Sequence, residues 1–251
     1  MINLNGKVVL ITGGSKGIGK ACVKLFYRAN ADVAFTYYSG KKESEQLEEL
    51  LNGKGKIKAY NANVANEKEV EQLIENVLED FGKIDILINN AGIWEPGPID
   101  DTSLENWNRT IETNLTSMFL VAKEVVPIMK KNKFGRIINI SSTAGQRGEA
   151  NYSNYAASKG GMISFTKSLA AELGEYNITT NSVAPGWVYS EMTKTVFDDK
   201  DYEKNEIQKI PLKRIADAED IAGPCLFLAS DLAKHINGEI LNVNGGSVLC
   251  G

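Results

Sequence analysis

The chain has one histidine, His235, and that scarcity removes much of enzymology at once. A Ser/His/Asp triad or a histidine-rich metal site would have to be built on this one side chain, and it lies in DLAKHING, which reads as a helix end and turn. Cysteine is almost as scarce. Cys22, Cys225 and Cys250 are odd in number and at spacings that match no zinc pattern, so they are expected as buried reduced thiols, with no disulfide framework and no metal. Positive charge does not dominate either: net charge is −4 and the pI about 5.3, so nothing draws the chain to nucleic acid or an anionic membrane. No apolar run reaches the roughly 20 residues that cross a bilayer. The amino terminus passes almost directly into a strand-like run with no signal-peptide pattern, and the expected location is cytoplasmic.

What is present is an alternation of strands and helices. KVVLIT at 7–12 is short, apolar and β-branched, followed by a glycine-rich turn and the helix-period segment KACVKLFYRAN. DVAFTY, KIKAYNANV, IDILINNAG, RIINISS, ITTNSVA and EILNVNGG read as further strands, separated by helical segments. In NEKEVEQLIENVLEDFG the residues Val70, Leu73, Ile74, Val77, Leu78 and Phe81 make one buried stripe. Long helices are expected over 104–131 and 152–175. Strands apolar on both faces that alternate with helices mean a parallel sheet covered on both sides. Without linkers or low-complexity tracts, residues 1–251 read as one doubly wound α/β domain. Residues 189–210 carry many charges and little periodicity, which fits either a mobile lid or a solvated excursion.

Two stretches carry the chemistry. TGGSKGIGK at 12–20 places Gly13, Gly17 and Gly19 in a turn that opens a helix, where free backbone N–H groups and the positive helix end suit a phosphate. NYSNYAASKGG sets Tyr155 four residues ahead of Lys159, on one helical face among small side chains. Such a pair is either a proton-handling device or a surface contact.

Over its whole length the chain resembles the short-chain dehydrogenase/reductase family. The resemblance is carried by TGGSKGIG at 12–19, NNAG at 89–92, Asn114, Ser142 in NISS, YAASK at 155–159, PG at 185–186 and the ending FLASDLAKHINGEILNVNGG. It implies a Rossmann-type fold with a parallel sheet of about seven strands and helices on both faces. It further implies a catalytic set of Asn114, Ser142, Tyr155 and Lys159. In that set Tyr155 protonates a ketone oxygen, and Lys159 lowers the phenol's pKa from its ordinary value near 10. Ser142 bonds the substrate oxygen, and Asn114 holds a proton-relaying water. The implied cofactor contacts are Gly13, Ser15, Lys16, Gly17, Ile18 and Gly19 at the glycine turn, and Asn63 and Val64 along the adenine. Asn90, Ala91, Gly92, Pro185, Gly186, Val188 and Ser190 follow, with Tyr155 and Lys159 beside the nicotinamide ribose. NAD-dependent members carry a carboxylate about 20 residues past the glycines. Here FTYYSGKK puts Tyr37, Tyr38 and Ser39 there, followed by Lys41 and Lys42, and Lys16 is the residue type used against a 2′-phosphate, so NADP(H) is expected.

Among relatives the chain looks most like the 3-oxoacyl-[acyl-carrier-protein] reductases, which implies NADPH-dependent reduction of a ketone to a secondary alcohol in fatty acid synthesis. An acidic carrier protein calls for a basic patch at the pocket mouth, and KKNKFGR at 130–136, with Lys133, is the candidate. Tyr176 stands where carrier-dependent relatives have a second basic residue. The alternatives are a reductase or dehydrogenase of a small ketone, sugar or other secondary alcohol, and a silent NADP-binding sensor, which would be expected to lose one of the four catalytic side chains. The resemblance also implies a homotetramer, through the long helices and the nearly uncharged tail NVNGGSVLCG. Met118, Phe119, Val121, Ala122, Val125, Met162, Phe165 and Leu169 are read as apolar surface beyond what one sheet face needs to cover.

Overall fold

A computed structural model describes residues 2–51, 53 and 55–249. Seven strands form one sheet: β1 (Val8–Ile11), β2 (Asp32–Tyr37), β3 (Ile57–Asn61), β4 (Ile86–Asn89), β5 (Gly135–Ile140), β6 (Ile178–Pro185) and β7 (Ile240–Val243). Their order is β3-β2-β1-β4-β5-β6-β7, and every pairing is parallel. The helices that join them are α1 (Gly17–Arg28), α2 (Lys41–Leu50), α3 (Glu67–Phe81), α4 (Leu104–Ile111), α5 (Ser117–Asn132), the short α6 (Ala144–Arg147) and α7 (Ser153–Leu173). After β6 come the short α8 (Lys194–Phe197), α9 (Lys200–Lys209) and α10 (Ala218–Ala229).

Alternation along the strands explains why they are apolar throughout. In β1, Val9 and Ile11 face a core shared with Cys22 and Phe26 of α1 and Ile221 and Cys225 of α10. Leu10 faces the other core, with Val70 of α3, Val121 of α5 and Leu173 of α7. A wholly buried side chain such as Phe26 contributes about 1.5–3 kcal/mol from burial. The chain runs from β1 outward to β3 and then crosses back to β4 on the other side of β1. That reversal opens a crevice beyond the carboxyl ends of β1 and β4, where doubly wound proteins bind ligands.

The structure adds to or departs from the sequence reading in three places. The helix foreseen over 104–131 is interrupted by a π-helical turn at Glu112–Thr116, a form that concentrates at functional sites. Residues 189–210 are largely helical, and Phe197, Ile210 and Ile215 make a small core of their own with Trp187 and Ile207. Finally, Met118, Val121, Ala122, Val125, Met162 and Leu169 are buried within the chain, and Val121, Ala122, Val125 and Leu169 belong to the core between helices and sheet. Phe119, 47% exposed, is the one of that set left largely outside. Cys22 and Cys225 are buried free thiols as expected, whereas Cys250 lies outside the described residues.

Candidate active site

The crevice encloses about 990 Å³, within the range of small-molecule sites. Gly13, Lys16, Gly17, Ile18, Asn90, Ala91, Gly92, Ser142, Tyr155, Lys159, Pro185, Gly186, Val188 and Ser190 all line it. The turn after β1 is held by groups the sequence did not single out. Thr12 Oγ1 accepts from the N–H groups of Asn90 and Ala91 at 2.9 and 3.0 Å, and Thr36 Oγ1 accepts from Gly13 N–H at 3.0 Å. Asn90 Nδ2 donates to the carbonyls of Thr12 and Gly13, so this asparagine braces the loop. Gly13 sits at φ +65°, and a Cβ on Gly19 would fall 2.2 Å from the Gly13 carbonyl oxygen. No side chain caps the start of α1, so its first N–H groups remain available to an anion.

Beside this cradle, Ser15 is buried and reaches the Ser39 carbonyl at 3.4 Å. Tyr37 ends β2 half-buried, Tyr38 is exposed, and Lys16 lies 3.6 Å from Glu43. That contact is a departure: the sequence places Glu43 after the specificity stretch, but the turn at Gly40 into α2 returns its carboxylate to the loop. A bond to its own backbone N–H, and then Lys16, hold the Glu43 carboxyl below its usual range. Val64 is buried in the second core, while Asn63 Oδ1 accepts from Ala65 N–H at 3.1 Å.

The reacting groups converge from β5 and α7. Ser142 follows β5 and lines the crevice with Tyr155, its hydroxyl near enough to act on the phenol. Lys159, one turn along α7, is buried, with its ammonium 5.6 Å from the centre of the Tyr155 ring and donating to the Ile140 carbonyl at 2.7 Å. Burial pushes the Tyr155 phenol well above its ordinary value; the Ser142 hydroxyl pulls it back in part, and the charge of Glu149 raises it further. Burial also brings Lys159 down to about 7. The expected lowering of Tyr155 by Lys159 is therefore corrected for the chain alone: desolvation works against the phenolate and the ammonium alike.

Asn114 is fully buried at the π turn. Its Oδ1 accepts from Ile93 N–H at 2.7 Å, and its Nδ2 donates to the Ile93 carbonyl and to Ser158 Oγ, both at 3.0 Å. It ties the loop after β4 to α7, and both it and Lys159 come up against Gly92. Beneath the site runs a buried polar ladder that sequence reading missed. Asn89 Nδ2 donates to Asn139 Oδ1, and Asn139 Nδ2 donates to Thr166 Oγ1, each at 2.9 Å.

The 130–136 segment is not at the mouth. In a parallel strand the residues that precede it lie at its amino edge, so Lys130–Arg136 and Ser142 occupy opposite ends of β5. Arg136 is buried with its guanidinium 4.4 Å from the Phe134 ring centre, and Lys130 lies 3.5 Å from Glu172. The basic groups that do line the crevice are Lys16, Arg147, Lys159 and Lys209. His235 is exposed in a turn and takes no part in the crevice. Among the described residues no helix is long and apolar enough to cross a membrane, and no group of acidic, histidine or cysteine side chains is arranged to hold a metal ion.

A family model described as enoyl-(acyl carrier protein) reductase matches residues 13–247. The chain is 41% identical over 245 residues to a 3-oxoacyl-[acyl-carrier-protein] reductase FabG of Vibrio cholerae, covering 98% of each chain. It is 40% identical over 247 residues to the FabG of Escherichia coli, again covering 98% of each. A 3-oxoacyl-[acyl-carrier-protein] reductase of Synechocystis is 40% identical over 251 residues, 99% of this chain and 100% of that one. Given the seven-stranded parallel sheet, the glycine cradle at the switch point and this full-length similarity, the chain belongs to the short-chain dehydrogenase/reductase family.

Proposed function

We propose that the protein is an NADPH-dependent 3-oxoacyl-thioester reductase that acts on substrates presented by acyl carrier protein. The observation that carries this reading is the convergence of Ser142, Tyr155 and the buried Lys159 in the same crevice as the glycine cradle. The cradle fits a dinucleotide: it leaves helix N–H groups free where a pyrophosphate would lie, and a side chain on Gly19 would close it. Gly13, Ser15, Lys16, Gly17, Ile18 and Gly19 would hold the phosphates, and Tyr37, Tyr38, Ser39 and Asn63 with Val64 the adenosine end. Asn90, Ala91, Gly92, Pro185, Gly186, Val188 and Ser190 would bound the nicotinamide. Lys16, Lys41 and Lys42 favour a 2′-phosphate, with Lys16 exchanging Glu43 for it.

When bound, the cofactor supplies a hydride to the carbonyl carbon. The protein's part is at the oxygen. Ser142 Oγ and Tyr155 Oη both donate to it, and Tyr155 gives up its proton as charge builds there. Lys159 Nζ, when protonated, stabilises the phenolate that remains, and Asn114 holds the wall through which the proton is restored. Arg147 and Lys209, both exposed on the crevice wall, are the cations an acidic carrier would meet there, with Lys209 exchanging Glu206 for it. The unpaired outer edge of β7 and the side chain of Leu249, 90% exposed, support a homotetramer, and the reading as a whole supports a single cytoplasmic domain. The test is turnover of acetoacetyl and longer 3-oxoacyl thioesters with NADPH and with NADH. We expect reduction with a clear preference for NADPH in kcat/KM; inertness towards every 3-oxoacyl thioester would refute the substrate assignment.

A further inference from the structure

Part of the crevice wall is used by no step above. Trp94 and Tyr152 stack with ring centres 4.4 Å apart and planes 5° from parallel. Trp187 meets Trp94 edge-on at 5.6 Å, and Tyr202 of α9 meets Trp187 at 6.3 Å. Two carboxyl groups are set into these aromatics. Trp187 Nε1 donates to Glu206 Oε2 at 2.9 Å, and Glu149 lines the crevice next to the stack, its carbonyl accepting from Tyr152 N–H at 3.2 Å. Glu149 is half-buried, close enough to Tyr155 for its charge to act on the phenol, and burial raises its own pKa. All six side chains line the crevice.

This surface is poorly suited to a long alkyl chain. A tail lying against it would strip water from the Glu149 carboxyl and give nothing back, and desolvating a charged or polar group without a new partner is costly. Nor can the stack swing aside freely, because Trp187 braces it and α9 braces Trp187. A hydroxyl suits the same surface: it donates to a carboxyl oxygen while its C–H groups rest on a ring. A cation gains less, since Arg147 acts on Glu149 and Lys209 lies 2.6 Å from Glu206, which balances the charge locally.

We propose that Glu149, beside the Trp94–Tyr152 stack, is a specificity-determining residue that favours short substrates bearing a hydroxyl beyond the ketone over long alkyl chains. The proposal rests on the ketone-reductase reading and narrows its substrate.

The experiment compares kcat/KM with NADPH for acetoacetyl thioester, its terminally hydroxylated analogue and 3-oxodecanoyl thioester. A parallel series uses butanone, its hydroxylated analogue and a methyl ketone of decanoyl length. The native protein should favour the hydroxylated member about tenfold over the unsubstituted one and disfavour the long chain by about tenfold or more. Glu149→Leu should erase the first preference and relax the second, while Glu149→Gln, which keeps an acceptor, should retain part of both. Should Glu149→Leu fail to fold, the native and Gln series decide. Equal rates for short and long chains in the native protein, or unchanged ratios in Glu149→Leu, would overturn the proposal. If thioesters are inert and ketones are reduced, the acyl-thioester reading fails and the ketone series still decides; inertness towards both series overturns the two together.

Discussion

Lys159 shows how one residue's burial links stability to function. Its folded pKa, about 7, lies below the ordinary lysine value near 10.4 because the ammonium is desolvated. Between those values the unfolded chain binds one more proton than the folded one, so stability rises with pH across that window. Below about 7 both states are protonated, and the cost of burying the charge is carried in full. Replacing Lys159 with Met should therefore abolish a rise of about 1 kcal/mol per pH unit between pH 7.5 and 9, read as the difference between native and variant urea unfolding. Parallel curves for the two proteins would contradict the burial argument. At the same scale Tyr155→Phe should lower kcat by about two to four powers of ten. NADPH affinity should be nearly unchanged, measured by fluorescence titration. Tyr155, Lys159, Ser142 and Asn114 were legible in the sequence because their spacing is a family pattern. Thr12, Thr36 and Glu149 were not, since each acts through a partner far away in the chain or through a fold that had yet to be seen.

At the scale of elements, α7 is fixed from two sides. Asn154 Nδ2 donates to Thr110 Oγ1 and Asn114 Nδ2 to Ser158 Oγ, both at 3.0 Å, which stitches α4 and the π turn to it. From below, Asn139 on β5 reaches Thr166 at 2.9 Å. Thr166→Val keeps the shape and leaves Asn139 Nδ2 without its acceptor, so it should cost about 1–3 kcal/mol in denaturant unfolding, with a much smaller effect on NADPH affinity. No loss of stability would mean that the ladder is not a constraint. The regular helices were readable from their apolar stripes, as with Val70, Leu73, Ile74 and Val77 of α3, all buried. The π turn was not, because an extra residue shifts the phase of the apolar stripe but leaves its period the same on either side. Helix α9 was hidden for a different reason. KDYEKNEIQK is nearly all polar, and its ordering depends on Trp187, Tyr189 and Phe197, which lie outside it.

For the whole molecule, the parallel sheet followed from runs such as VVLI, too apolar for a one-sided strand, and its chain reversal put the crevice where the glycine turn and YAASK meet. What the linear order concealed was direction. Residues 130–136 precede the Ser142 strand closely in sequence, yet a strand's length carries them to the far edge of the sheet, and only the fold shows that Arg147 and Lys209 take their place at the crevice. The central claim is that this crevice passes hydride from NADPH to a 3-oxoacyl carbon while Tyr155 serves the oxygen. The most direct test incubates the protein with acetoacetyl thioester and NADPH deuterated at the transferable position of its nicotinamide, and locates the label in the product by NMR. We predict deuterium on the new carbinol carbon in a single stereochemical sense; product without deuterium there, or no product at all, would contradict the account.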